Sequence, residues 1–309
     1  MIITKLTGGL GNQMFQYAAG LALAEARRTV LKLDVNWFRE YPNHQNFIRY
    51  ALSCLNVTEQ FATAEEIERV RGLYFSRSER GVRKIVQALQ LDGVLSRYSR
   101  NANWHHVPWA HFDEKFFLQP DNTYIEGYCH AEGYFANIAD LVRQQFTLRY
   151  PAISEVAALE AEIAATESIA VHFRRGDYIT NPSTARRLGA VGRAYYDRAF
   201  AVMRAQFPNA TFYLFSDDIE AVAREITPPG PHHFVQASRP WHDHDALRLM
   251  SRCRHAIISN STFAWWGAWL ISSPNKIVIA PKPWCIDPNS KSHIVPSDWL
   301  EISRLEDQQ

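Results

Sequence analysis

His172-Phe173-Arg174-Arg175-Gly176-Asp177-Tyr178, preceded by the apolar run Ile169-Ala170-Val171, is the stretch on which the reading of the fold turns. A short, unbroken apolar run that ends in a glycine-containing turn predicts a buried strand. The pattern then repeats: Ser168 to Phe173 reads as strand, Tyr195 to Gln206 as helix, Thr211 to Phe215 as strand, Ile219 to Glu225 as helix and His255 to Ile258 as strand. Strands alternating with helices predict a doubly wound α/β sheet. Arg174 and Arg175 stand at the end of the first of these strands. A guanidinium never loses its charge and offers a rigid fork of donors, so a pair of them beside an aspartate suits a phosphate or diphosphate. The alternative is a surface salt bridge from Arg175 to Asp177, a common arrangement that is worth little.

The first residues carry a second anion-binding pattern. Met1 to Leu6 reads as a short strand, Thr7-Gly8-Gly9-Leu10-Gly11-Asn12-Gln13 as a glycine-rich turn, and Met14 to Arg27 as a helix. Strand, tight loop and helix bring backbone N–H groups up to an anion, with Gly9 and Gly11 permitting close approach. A dinucleotide fingerprint requires a third glycine where Met14 stands, which weakens the reading as an oxidoreductase even though Asp34 mimics the ribose-binding acid. Asn12 and Gln13 stand instead at the loop mouth, two amides able to bind a sugar hydroxyl or a phosphate oxygen. Two stretches of strand and helix, with an alanine- and glutamate-rich helix from Pro151 to Thr166 between them, predict an N-terminal lobe over residues 1–165 and a C-terminal lobe over 166–309.

A third cluster follows Ala256-Ile257-Ile258. Asn260, Ser261 and Thr262 sit where a helix should begin, either capping it or seating an anion on its free N–H groups. Trp265, Trp266 and Trp269 continue an apolar run and are expected in the core.

Composition narrows the class. The chain of 309 residues is 47% hydrophobic with a net charge of +1, which suits a soluble globular enzyme and gives no pull toward nucleic acid. Its four cysteines lack metal spacing and are expected as reduced thiols of a cytosolic protein. No spanning segment or signal peptide is evident. The Arg69 to Arg100 segment, with Arg71, Arg77, Arg80, Arg83, Lys84 and Arg97, is either a solvated face or a place for peripheral membrane or acidic-glycan contact. Asp243-His244-Asp245 imitates the acid-x-acid motif of metal-dependent transferases but follows no apolar strand, so it reads as loop and no metal site is expected.

Gly8 to Ala18, His172 to Tyr178 and Asn260 to Ala268, in this order, closely resemble the bacterial α-1,2-fucosyltransferases of glycosyltransferase family 11. Gly127-Tyr128 before Tyr134-Phe135, Phe215-Ser216-Asp217-Asp218, Leu249-Met250-Ser251 and Pro281-Lys282 extend the likeness over nearly the whole chain, residues 40–120 being its weakest part. His130 departs from the pattern, which favours glutamine there.

The resemblance implies a GT-B fold, two Rossmann-like lobes facing across a cleft, and inverting, metal-independent transfer of L-fucose from GDP-β-L-fucose to the 2-hydroxyl of a terminal galactose. The acceptor would be an oligosaccharide or lipid-linked glycan, and the enzyme cytoplasmic, with peripheral contact at the inner membrane left open. Arg174 would stabilise the departing diphosphate, with Arg175 as second donor or structural partner. Asn12 would reach the phosphate or the fucose from the opposite lobe, and Ser261 and Thr262, next to Asn260, would complete the phosphate seat. Asp177 would orient the arginines or act as base, Glu132 being the other candidate and a diphosphate oxygen a third. Asp217 or Asp218 would accept from guanine, unless one caps the helix at Ile219, and His172 would contact the nucleotide unless it is simply packed in the core. A fucosyltransferase of other linkage and a silent carbohydrate-binding protein are the competing readings.

Overall fold

The computed structural model describes residues 1–40, 49–71, 103–108, 111–235, 243–287 and 292–305. Of the basic segment only Arg69 and Arg71 fall within them; Arg77, Arg80, Arg83, Lys84, Arg97 and Arg100 lie outside the described residues. The chain divides into two α/β units, Met1–Ser53 with Val57–Gln145, and Cys54–Asn56 with Phe146–Gln309.

In the first unit, β1 (Ile2–Lys5), α1 (Leu10–Arg27), β2 (Leu31–Asp34), α2 (Ala64–Arg71), β3 (Trp104–His106) and β4 (Thr123–Glu126) form a four-stranded parallel sheet, order β2-β1-β4-β3, with its helices. Ile2, Ile3, Tyr124 and Ile125 are fully buried, as strands inside a parallel sheet require. Helix α1 starts at Leu10, four residues earlier than its apolar spacing suggests: Gly9 is its cap and Gly11 lies inside its first turn, so the glycine turn is shorter than expected. Asp34 is no ribose ligand. It is buried, accepting from the Tyr124 hydroxyl at 2.6 Å and from the Asn36 N–H at 3.0 Å.

The second unit contains α3 (Ser154–Ala165), β5 (Ser168–Phe173), α4 (Gly176–Thr180), α5 (Arg193–Gln206), β6 (Thr211–Ser216), α6 (Ile219–Glu225), β7 (His232–Phe234), α7 (Asp243–Arg252), β8 (His255–Ile257), α8 (Thr262–Trp269), β9 (Val278–Lys282) and β10 (Leu300–Ser303). All six strands are parallel, in the order β10-β9-β8-β5-β6-β7. Strand β5 is buried at every position, and Ile169, Val171 and Phe173 share a core with Tyr195, Phe200 and Met203 of α5 and Phe212 and Leu214 of β6. Helix α8 is apolar on every side and is correspondingly enclosed: Trp265, Trp266 and Trp269 are buried, and the Trp265 indole N–H donates to the Ile294 carbonyl at 2.7 Å. The tryptophans are therefore core, as their run predicts.

The boundary between units corrects the expected 165/166 division. It falls between Gln145 and Phe146 because α3 belongs to the second unit, packing on α7, where Arg252 reaches Glu160 at 2.5 Å, and taking a hydrogen bond on Glu162 from Tyr213 of β6 at 3.0 Å. Asp243-His244-Asp245 opens α7 and is not a loop. The four cysteines are free and buried. Among the described residues no helix is long and apolar enough to cross a membrane.

Candidate active site

Open parallel sheets bind ligands at the carboxyl ends of their strands, where the chain reverses its direction across the sheet. In the second unit the chain runs from β5 outward to β6 and β7, then returns to lay β8 on the other side of β5. The switch point thus lies between β5 and β8. Register pairs Val171 with Ile257, so the residues leaving both strands, His172 to Asp177 and Ser259 to Thr262, emerge side by side.

Arg174 stands at the centre. Its Nε and Nη2 donate to Asp177 Oδ1 at 3.1 and 2.6 Å, and Nη1 lies 3.0 Å from Asp217 Oδ2. The Tyr178 ring sits 5.5 Å from its Cζ. Burial opposes the charge, but the Asp217 and Asp177 carboxylates outweigh it and raise the guanidinium pKa further. With its side chain 35% exposed and five N–H groups in all, the fork keeps donors for an incoming oxygen anion. Gly176 makes this clamp possible, since a Cβ there would come within 2.6 Å of Asp217 Oδ2.

Arg175 turns the other way. Its guanidinium makes a two-pronged pair with Glu225 of α6, at 2.6 and 2.8 Å, while its backbone N–H donates to Asp217 Oδ1 at 2.9 Å. Of the two roles expected for it, the structure gives the structural one, and its ion-pair partner is Glu225, not Asp177. Asp217 is likewise engaged with both arginine residues. Asp218 caps α6 by accepting from the Ala221 N–H at 3.1 Å.

His172 is buried, with Nδ1 2.9 Å from Ser259 Oγ and its backbone carbonyl accepting from the Tyr196 hydroxyl at 3.1 Å. Burial, aided by the nearby Arg174 charge, pushes its pKa down to about 3, so the ring is neutral at physiological pH. Asn260 staples loops together: its buried Nδ2 donates to the carbonyls of Leu188, Gly189 and Trp284 at 2.9, 3.2 and 3.1 Å. Its backbone carbonyl accepts from the Tyr178 hydroxyl at 2.9 Å, tying the arginine segment to the start of α8. Ser261 occupies the cap position of α8 without a side-chain capping bond. Its hydroxyl is thus not spent on the helix, and Thr262 follows as the first helical residue.

In the first unit the switch point lies between β1 and β4, because β1 leads out to β2 on one side and meets β4 on the other. The loops there are Thr7–Gly9 and Gly127–His130. Gly8 has φ +75°, a conformation only glycine adopts freely, and a Cβ on it would meet Asn12 Nδ2 at 2.5 Å. It is the glycine that the geometry demands, whereas nothing lies within 4 Å of a Cβ at Gly9. Asn12 Oδ1 lies 3.0 Å from His130 Nε2. Gln13 is not at the loop mouth: it is fully buried, donating to the carbonyls of Gly8 and Arg49 at 2.8 Å each and accepting from the Ala51 N–H at 2.9 Å. Glu132 begins a 3-10 turn, Glu132–Tyr134, in this same unit.

Tyr178, Ser259, Glu225 and Gly176 organise the second site without standing out in the sequence as functional. Gly176 and Tyr178 do lie inside the His172 to Tyr178 motif and Ser259 directly precedes Asn260, but Glu225 and Asp217 reach the arginines from 50 and 42 residues away, with no spacing signal to join them. Among the described residues no group of three or more His, Cys, Asp or Glu side chains is arranged to hold a metal ion.

Two α/β units, one carrying an arginine clamped by two carboxylates beside a helix start at a sheet switch point, define the class of nucleotide-fold proteins built on open parallel sheets. The sequence matches the family described as Glycosyl transferase family 11 over residues 1–303, and the chain belongs to that family. It is similar to an α-1,2-colitosyltransferase of Escherichia coli, 30% identical over 98% of this chain and 99% of the relative. It is also similar to the O-antigen biosynthesis glycosyltransferase WbnK of Escherichia coli, 29% identical over 96% and 99%. A galactoside α-(1,2)-fucosyltransferase 1 of Homo sapiens is 27% identical over 47% of this chain and 42% of its own length.

Proposed function

We propose that this glycosyltransferase carries L-fucose from GDP-β-L-fucose to the 2-hydroxyl of a terminal galactose in an oligosaccharide or lipid-linked glycan, by inversion and without a metal ion. The observation that carries the reading is Arg174, held by Asp177 and Asp217 at the β5/β8 switch point, next to a Ser261 hydroxyl that caps nothing. Family membership and the α-1,2 linkage named for relatives support the regiochemistry.

A β-linked donor and an α-linked product require one displacement. The galactose 2-hydroxyl oxygen bonds to fucose C1 as the bond from C1 to the diphosphate oxygen breaks, and GDP leaves with the bonding electrons. Negative charge grows on the β-phosphate, where a preorganised guanidinium is worth most. Ser261 and the first-turn N–H groups of α8 add donors for the same oxygens. Asp177 is assigned to orienting Arg174, because Oδ1 already takes two of its N–H groups. Inversion places the attacking hydroxyl on the face of C1 opposite the departing diphosphate, so its proton is lost to water on that face as the new bond forms. Asn12 is assigned to substrate hydrogen bonding at the glycine loop of the first unit. Guanine recognition is left without Asp217 and Asp218 and is assigned to the nucleotide's contacts around His172, whose neutral ring keeps Nε2 opposite the nitrogen bound by Ser259.

A second reading substitutes colitose for fucose, favoured by the colitosyltransferase relative. Competition between GDP-fucose and a colitosyl donor for one galactoside, with the product linkage read by NMR, tests both. An α-1,2-fucosylated product formed preferentially supports the first reading. Preferential colitosyl transfer gives the second, and no transfer from either overturns the donor assignment.

A further inference from the structure

Asn12 makes its hydrogen bond to a residue from another part of the first unit, and the arrangement around that bond constrains what the amide can offer. Resting on the role given above to Asn12, we propose that His130 is a positioning residue that fixes the Asn12 amide, turning its NH2 group over the glycine loop as a donor to substrate.

An asparagine amide has two orientations that exchange oxygen for nitrogen. Here Oδ1 lies 3.0 Å from His130 Nε2, and an amide oxygen only accepts, so Nε2 carries the proton. Nδ2 is left on the opposite edge, close over Gly8, where even one added carbon would collide with it. The loop mouth therefore meets the donor end of the amide.

The imidazole cannot easily swing away. Phe15 stands against it edge-on, with ring centroids 5.2 Å apart and planes at 62°, and Tyr128 stacks on it at 5.1 Å and 25°. Phe15 lies three residues after Asn12 on α1, so one face of the helix supplies both the packing and the hydrogen-bond partner. The backbone that delivers the ring is itself held in a costly state: Cys129 has φ +55°, a left-handed conformation unusual for a residue with a side chain, and the Ala131 N–H closes the turn on the Cys129 carbonyl at 2.8 Å. His130 is buried. A packed ring alone would need no donor aimed at Asn12, and a surface histidine would need no such backbone.

Five proteins test this: the wild type, His130→Phe, His130→Gln, and Asn12→Ala alone and combined with His130→Phe, each assayed with GDP-fucose and lactose and melted in parallel. Phenylalanine keeps the aromatic packing and removes the donor; glutamine keeps an N–H donor. We expect His130→Phe to lower kcat roughly tenfold with donor KM within about twofold, because the lost interaction acts in the transition state. His130→Gln should recover most of that loss. In the Asn12→Ala background His130→Phe should cost nothing further, since the two residues act as one unit. If phenylalanine lowers the melting temperature, His130→Leu replaces it in the same comparison. Near-normal kcat in the donor-less variant, or losses that multiply in the double variant, would overturn the positioning role. Should Asn12→Ala itself turn over normally, the role of Asn12 fails instead, and the two failures are told apart by that single variant.

Discussion

Arg174 is held by two carboxylates and still reaches solvent, a combination suited to charge that appears only when the sugar bond breaks. Arg174→Ala is expected to reduce turnover by about two to three decades, the loss typical of removing one preorganised donor from a developing anion, while circular dichroism stays native. Arg174→Lys should recover little, because a point charge cannot grip Asp177 and Asp217 and also present a fork to phosphate. Steady-state kinetics on both variants checks this. Asp177→Asn separates orientation from proton transfer: the amide oxygen still accepts from Arg174, so a loss much smaller than that of Arg174→Ala is expected. A loss as large would return Asp177 to the role of base.

At the scale of elements, α6 shows how a carboxylate next to the site serves the fold. Asp218→Ala should lower stability by about 1 kcal/mol in urea titrations through the lost cap, with GDP affinity by calorimetry unchanged. Strand β5 and helix α6 are legible in the sequence residue for residue, the strand because its apolar run has sharp polar ends and the helix because Asp218 marks its start. The three motifs likewise mark both switch points. The first turn of α1 is not legible, since Gly11 looks like loop and its helical state depends on tertiary support. Nor is the ownership of α3, whose composition says helix without saying which core it covers. The partners of the arginine pair are hidden for a related reason: sequence spacing reveals neighbours along a helix or strand, whereas Asp217 follows the next β-strand and Glu225 ends the helix after it. Asn260 and Gln13 show the converse, polar residues inside functional motifs that are consumed in holding loops together.

For the whole molecule, the buried neutral His172 sets a pH dependence. Its pKa in the folded chain is about 3, well below the ordinary value of about 6.5 expected when unfolded. As pH falls through 6.5 the unfolded chain takes up a proton that the folded chain refuses until about pH 3. Stability is therefore lost over that interval, by up to about 1.4 kcal/mol per pH unit from this one group. His255, lowered by burial against the pull of Glu167, acts in the same direction. Urea unfolding between pH 7 and pH 4 should show a steeper decline for the wild type than for His172→Asn. The central claim, transfer driven by protein donors alone, is tested most directly by the rate of GDP release from GDP-fucose in excess EDTA, with and without lactose. The account predicts release in EDTA that depends on lactose and disappears in Arg174→Ala; release that stops with EDTA and returns with a divalent cation, or that persists in Arg174→Ala, would contradict it.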